Sequence, residues 1–185
     1  MKTAKFWNYS VIIFFAVAAA VLFIVSARAD DVRSAVSAGQ KAPVFQARTV
    51  DGKTINFPAD YKGKVVLLDF WATWCGPCRR ELPNVAATYR KYHAKGFEVL
   101  SVSLDKPEQG PALLKFAQDN GMTWPQIYDG GYWKAAVAVQ YGVQAIPCPV
   151  LVDGDTGVVI AQGAGAVGQR LPKLVAAAVA AKARK

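Results

Sequence analysis

Val65-Val66-Leu67-Leu68-Asp69-Phe70-Trp71, followed at once by Ala72-Thr73-Trp74-Cys75-Gly76-Pro77-Cys78, is the stretch on which the fold turns. The first seven residues are apolar on both faces except at Asp69. A half-exposed strand would alternate, so this run predicts a central strand covered on both sides. Pro77 stands where a helix tolerates proline, in its first turn, because the N–H it lacks would have no intrahelical acceptor there. Leu82, Val85, Ala86, Tyr89 and Tyr92 recur at helical spacing. The pattern predicts a helix from about Gly76 through His93, kinked at Pro83 and ended by Gly96. Both Cys75 and Cys78 therefore sit at a helix start.

Ahead of this stretch, Val44–Val50 and Lys53–Phe57 flank Asp51-Gly52, a hairpin turn signal. Behind it, Phe97–Leu104 reads as a strand, Gln109–Asn120 as a helix and Thr123–Tyr128 as a short extended piece. Tyr132–Tyr141 reads as another helix. Pro149–Asp153 and Gly157–Ala161 form a hairpin about Gly154-Asp155-Thr156, and Leu171–Ala183 closes the chain as an Ala-rich helix. Strands alternating with helices, then a terminal hairpin and helix, imply an α/β structure with a mixed sheet.

The N-terminal end is different in kind. Lys2 and Lys5 precede an unbroken apolar run from Val11 to Val25, and Ala27-Arg28-Ala29 is a small-x-small pattern before Asp30-Asp31. These are the parts of a secretory signal. Counted from Phe6 to Ala29, the segment also approaches the ~20 residues of a spanning helix. Residues 1–29 are thus a signal peptide or a membrane anchor, 30–37 a short linker and 38–185 one domain. Either reading exports the domain, since the lysines stay inside. The expected location is the periplasm, soluble after cleavage or tethered to the inner membrane. No cysteine follows the apolar run to carry a lipid.

The chain carries 22 Lys+Arg against 13 Asp+Glu, and removing Lys2, Lys5 and Arg28 leaves 19 basic residues. Part of the excess is at the end, in Lys182, Arg184 and Lys185, which reads as a solvated tail complementing a helix C-terminus. No basic stretch is interleaved with aromatics, so no nucleic-acid partner is expected.

The 3 cysteines carry the chemistry. Two of them, spaced Cys-x-x-Cys at a helix start, can close a disulfide within one turn. Unpaired N–H groups and the positive end of the helix dipole favour an anion at Cys75. That lowers its pKa below the free-thiol value of ~8.5 and makes it the expected nucleophile. Cys78, one turn deeper, is the resolving thiol. The competing readings are a structural bridge, which would constrain so short a loop little, and half of a zinc site, which would need Cys148 and His93 as further ligands. No metal site is assigned, and the reaction needs no cofactor beyond the Cys75–Cys78 disulfide. Trp71 reads as core and Trp74 as a wall of the site.

Phe70-Trp71-Ala72-Thr73-Trp74-Cys75-Gly76-Pro77-Cys78 resembles the active site of thioredoxins. Ala42-Pro43-x-Phe45, Arg79-Arg80-Glu81-Leu82-Pro83 and Tyr141-Gly142-Val143-x-x-Ile146-Pro147 resemble their exported TlpA/ResA-like relatives, so the likeness spans about Ala38 to Ala183. It implies a thioredoxin fold with an extra N-terminal hairpin and a central insertion. It also implies that Pro147 is a cis-proline whose loop faces the cysteine pair. Ala145 and Ile146 would then pair with a client's extended chain, a form of strand addition. Trp74, Gly76 and Pro77 complete the client-binding surface.

Asp69, six residues before Cys75, matches the buried acid of thioredoxins. In an apolar strand its pKa should rise, and it can then take the proton of Cys78. Glu81 shares the helix face of Cys78 and matches a glutamate of this branch. It is read as a proton relay or, alternatively, as a solvated acid beside Arg79 and Arg80. Cys148 stands where the family usually has threonine. It is either a small buried thiol filling that place or a modulator that competes for Cys75. Pro149 is a second departure, removing a donor from the start of its strand.

The resemblance implies a thiol–disulfide oxidoreductase that reduces client proteins, of the kind met in cytochrome c or oxidase maturation, and draws electrons from a membrane donor. Two other classes stay open. One is a copper carrier on the same fold, disfavoured by the short Cys-x-x-Cys spacing and the single histidine. The other is a thiol peroxidase of peroxiredoxin type, disfavoured by the Trp-Cys-Gly-Pro-Cys pattern.

Overall fold

The computed structural model describes residues 35–184. The segment read as signal or anchor, 1–29, and most of the linker lie outside the described residues. Among the described residues no helix is long and apolar enough to cross a membrane.

A leading hairpin joins β1 (Phe45–Arg48) to β2 (Thr54–Phe57) in antiparallel register, with Phe45 opposite Phe57. The central sheet holds β3 (Val65–Trp71), β4 (Phe97–Ser103), β5 (Gln126–Ile127), β6 (Cys148–Asp153) and β7 (Val159–Gln162) in the order β5-β4-β3-β6-β7. β3 and β4 run parallel, Val65 opposite Phe97 and Trp71 opposite Ser103, whereas β6 runs antiparallel to β3. Four α-helices lie among the described residues: α1 (Gly76–Tyr92), α2 (Gly110–Asp119), α3 (Ala136–Gln140) and α4 (Arg170–Lys182). The sheet is therefore mixed, and β3 lies in its middle. Its continuous apolar run is explained by that place: every β3 residue but Asp69 is buried.

The leading segment caps both open edges of the sheet. Gly39 N–H donates to Val159 O at 2.8 Å on the β7 side, and Val50 N–H donates to Gln126 O at 2.8 Å on the β5 side. Covering these edges blunts their tendency to pair with other chains.

Two expectations change, for the Tyr132–Tyr141 helix and for the basic tail. The helix read over Tyr132–Tyr141 is a 3-10 turn, Tyr132–Lys134, followed by the five-residue α3. Ala135, at φ −51° and ψ 126°, is extended and separates the two. As expected, α1 contains Pro83, which lies on its exposed side and leaves the Arg79 carbonyl without its helical donor. The basic tail is not wholly solvated: Lys182 Nζ lies 3.0 Å from Asp153 and 2.6 Å from Asp155, tying α4 to the β6–β7 turn. Pro149 is accommodated because it precedes the β7 ladder, which begins at Val150 opposite Gln162.

That turn leaves no room at Gly154. A Cβ there would overlap the Tyr61 carbonyl oxygen and lie 2.9 Å from Lys64 O. Backbone cannot yield as a flexible side chain does. Gly154→Ala should therefore destabilise the fold by about 1–3 kcal/mol, read as a lower urea midpoint at unchanged slope.

Candidate active site

The site is assembled where β3 ends. Trp71 leaves the strand, Cys75 N–H donates back to Ala72 O at 3.0 Å, and the chain enters α1. Cys75 is the N-cap residue, and its Sγ accepts the Cys78 N–H at 3.2 Å. A sulfur in that place replaces one of the acceptors that the first turn lacks. Cys75 and Cys78 form a disulfide, Cα–Cα 5.3 Å, as the spacing predicts. Gly76 and Pro77 between them are exposed. A hollow of about 450 Å³ bounded by Arg48, Tyr128, Asp129 and Val137 lies under the hairpin and not at the disulfide.

Trp74 is 42% exposed and does not stand alone. Its ring lies 5.5 Å from Tyr132 and 6.1 Å from Trp133, and Lys106 Nζ sits 5.7 Å above the Tyr132 ring. Tyr132 is the one non-glycine residue with positive φ, 53°, among the described residues. For a bulky side chain that conformation is strained and must be held. Asp129 holds it, accepting from Gly131 N–H at 2.8 Å and Ala136 N–H at 2.7 Å. Gly130 is required too: its φ is +71° and an added Cβ would lie 2.7 Å from Pro107 Cα. Sequence reading missed Tyr132 and Trp133 because their apolar spacing suits a helix. The Gly130-Gly131 doublet was the available sign of a loop.

Asp69 is the one partly accessible residue of β3. Burial pushes its carboxyl up to about 7, and the negative charge of Glu81 adds to the shift. Cys78 and Glu81, three residues apart, share one face of α1. Glu81 is half-buried, not freely solvated. Its Oε1 accepts from Asn84 Nδ2 at 2.6 Å and from Gly168 N–H at 2.7 Å, while Asn84 also donates to Gly168 O at 2.9 Å. The acid thus ties α1 to the loop before α4. Sequence reading singled out neither Asn84 nor Gly168.

The Ile146–Pro147 bond is cis, and so is Phe57–Pro58, which the sequence did not suggest. Pro147 precedes Cys148, which pairs with Phe70, so it lies at the end of the sheet where the cysteines are. Ala145 and Ile146 are partly exposed, and among the described residues nothing accepts their N–H groups. Cys148 is fully buried and outside the disulfide. His93 is at the opposite end of α1, 3.2 Å from Glu98, so it does not join the cysteines. Among the described residues no three His, Cys, Asp or Glu side chains gather to hold a metal.

A helix capped by a Cys-x-x-Cys pair on the central strand of this mixed sheet, with a cis-proline at the same sheet end, defines the thioredoxin-like class. The AhpC/TSA family model matches residues 38–161. The thiol–disulfide oxidoreductase ResA of Halalkalibacterium halodurans is 31% identical over 153 residues, 82% of either chain. ResA of Bacillus thuringiensis is 38% identical over 121 residues, 65% of this chain and 66% of the relative, just under two thirds of its length. The thiol:disulfide interchange protein DsbE of Chlorobium tepidum superposes with a TM-score of 0.66 at 33% identity, over 78% of this chain and 99% of that one. The chain belongs to the AhpC/TSA family, on the branch of the thiol–disulfide oxidoreductases.

Proposed function

We propose that the protein is an exported reductant of disulfide-bonded client proteins. The observation that carries this is the disulfide at the N-cap of α1, its nucleophilic sulfur facing a backbone N–H and flanked by an exposed aromatic surface. In the reduced protein the Cys75 thiolate attacks a client disulfide, and one client sulfur leaves as thiolate. Cys78 passes its proton to Asp69 and attacks Cys75 Sγ. The second client thiolate is released, and two electrons have moved from the dithiol to the client. Asp69 suits the role because its carboxyl, raised to about 7, can both accept and return a proton near neutrality. Glu81 contributes the charge that helps raise it. Any relay through Glu81 would use Oε2, since Oε1 is committed to Asn84 and Gly168.

The client lies extended along Ala145, Ile146 and Pro147 and covers Gly76, Pro77 and the Trp74–Tyr132–Trp133 face. Unpaired backbone N–H groups supply the pairing and the rings supply contact area. Trp133→Ala should raise KM for a protein client about tenfold while leaving reduction by dithiothreitol unchanged, because only the client needs the aromatic face. Cys148 acts as a buried filler, not as a modulator.

Export follows from residues 1–29, whose lysines and apolar run suit a signal or an anchor. The periplasm is the compartment we infer, and a membrane thiol donor would resupply the electrons. Clients of cytochrome c or oxidase maturation fit that supply. The test is to give the reduced protein either a disulfide-bonded protein or hydrogen peroxide. Stoichiometric reduction of the former, with slow reaction of the latter, supports the reading. Rapid peroxide turnover would replace it with a peroxidase.

A further inference from the structure

The mechanism leaves one buried acid unused. Asp105 follows β4, at the carboxyl end of a parallel strand next to β3, and is 0% exposed. A buried carboxylate persists only when its oxygens are satisfied. Here Oδ1 accepts from Thr73 Oγ1 at 2.6 Å, and the Thr73 N–H is shared between Oδ1 at 3.2 Å and Oδ2 at 3.1 Å. Ser103 Oγ donates to Oδ2 at 2.8 Å and accepts the Asp105 N–H at 3.0 Å, which fixes the carboxylate in turn. Leu104 N–H donates to Trp71 O at 2.8 Å, extending the β3–β4 ladder up to this point.

Thr73 lies between that ladder and the cysteines. One residue later comes Trp74, two residues later Cys75, and the Cys75 N–H closes the turn on Ala72 O at 3.0 Å. We infer that Asp105 is a positioning residue for the dithiol, clamping the turn that carries Trp74 and Cys75 to the rigid end of the sheet through the amide and hydroxyl of Thr73. The inference deepens the reading of Cys75–Cys78 as a redox pair and rests on it.

The same strut reaches the aromatic face. Tyr128 Oη donates to Lys106 O at 2.6 Å, and Pro107 packs against Gly130. Residues 105–107 thus connect the cysteine turn to the loop that presents Tyr132 and Trp133. Client reduction needs both surfaces in one fixed relation, and a misplacement of about 1 Å can cost ~10²-fold in rate.

The clamp has an electrostatic consequence. Asp105 reaches the cysteine turn through Thr73, two residues before Cys75, and a negative charge held at that turn disfavours the thiolate. Asp105→Asn removes the charge and keeps the shape. Thr73→Val keeps the charge and removes the hydroxyl donor. Thr73→Ser restores it.

The experiment equilibrates the full chain and each variant with glutathione, then measures single-turnover reduction of a disulfide-bonded protein. For Asp105→Asn we expect the equilibrium to shift about tenfold towards the dithiol, ~30 mV less negative, with client reduction slowed at least tenfold. Thr73→Val should slow client reduction about tenfold without a shift in that direction, and Thr73→Ser should recover the wild-type rate. Ser103→Ala loosens the carboxylate without touching Thr73 and should fall between. A lowered unfolding midpoint with wild-type potential and rate in the folded variants would overturn the positioning role. A wild-type chain with no reversible couple would overturn the redox reading itself, and this inference with it.

Discussion

Cys78→Ser should convert the protein from a turnover enzyme into a trap. Cys75 remains at the N-cap of α1, where the helix terminus favours its thiolate. The variant should still attack a client disulfide, but nothing then resolves the mixed disulfide. Steady-state reduction of client should fall by at least ~10³-fold. A covalent adduct should accumulate on non-reducing gels and dissolve with dithiothreitol. Cys75→Ser should lose activity equally and form no adduct. An adduct through Cys75→Ser would move the nucleophile to Cys78 or Cys148. Comparable turnover in Cys78→Ser would mean that an external thiol resolves the intermediate.

Asp69→Asn should separate rate from stability in opposite directions. The folded carboxyl titrates at about 7, against its ordinary 3.8, because burial disfavours its charge. The folded protein therefore holds a proton that the unfolded chain has already released over the interval from about 4 to 7. The stability associated with that proton is fully present below pH 4 and is lost as pH rises through about 7. A shift of about three units corresponds to at most ~4 kcal/mol, and the water contact of this residue reduces it. The amide that replaces the carboxyl does not titrate. The variant should be more stable than wild type by a few kcal/mol at pH 8, and the gap should shrink to little by pH 4. Its resolving step should nevertheless slow about a hundredfold. The rise of wild-type rate through neutral pH should be lost with it. Urea titrations at the two pH values and a stopped-flow pH profile check both halves. Loss of stability at pH 8 would show that the Asp69 carboxylate is a structural ligand and not a proton acceptor.

These results bear on residues that differ in how openly the sequence displays them. Val65–Trp71 announces a central strand because burial on two faces demands continuous apolarity. Pro77 announces the helix start because few other positions tolerate it. Asp69 stands out for the same reason, as the one acid inside an apolar run. All are local signals, and the strand order β5-β4-β3-β6-β7 follows the familiar pattern once they are placed. Asp105 is more deeply buried than Asp69, yet it sits at a strand end beside Lys106 and Pro107, where an acid ordinarily belongs to a solvated turn. Its partners, Thr73 and Ser103, are 32 and 2 residues away, and no spacing rule joins all three.

Trp133 illustrates the other limit. Residues 132–141 carry helical spacing, but Asp129 binds two backbone N–H groups of the following loop and Ala135 turns extended. A side chain bonding to backbone competes with helix formation here, and the rings turn towards Trp74. Lys182 was hidden likewise. At a helix C-terminus a lysine reads as a dipole partner, whereas here the β6–β7 turn brings Asp153 and Asp155 within reach.

The reduction potential of the Cys75–Cys78 couple bears most directly on the proposed role. The full chain would be equilibrated with dithiothreitol or glutathione buffers and the remaining thiols alkylated and counted. A reversible two-electron couple near or below the ~−270 mV of thioredoxin is expected, because a protein that reduces exported clients must lie well below them. A couple near ~−120 mV would make the protein an oxidant and reverse the direction of electron flow. Absence of any reversible couple would contradict the redox role altogether.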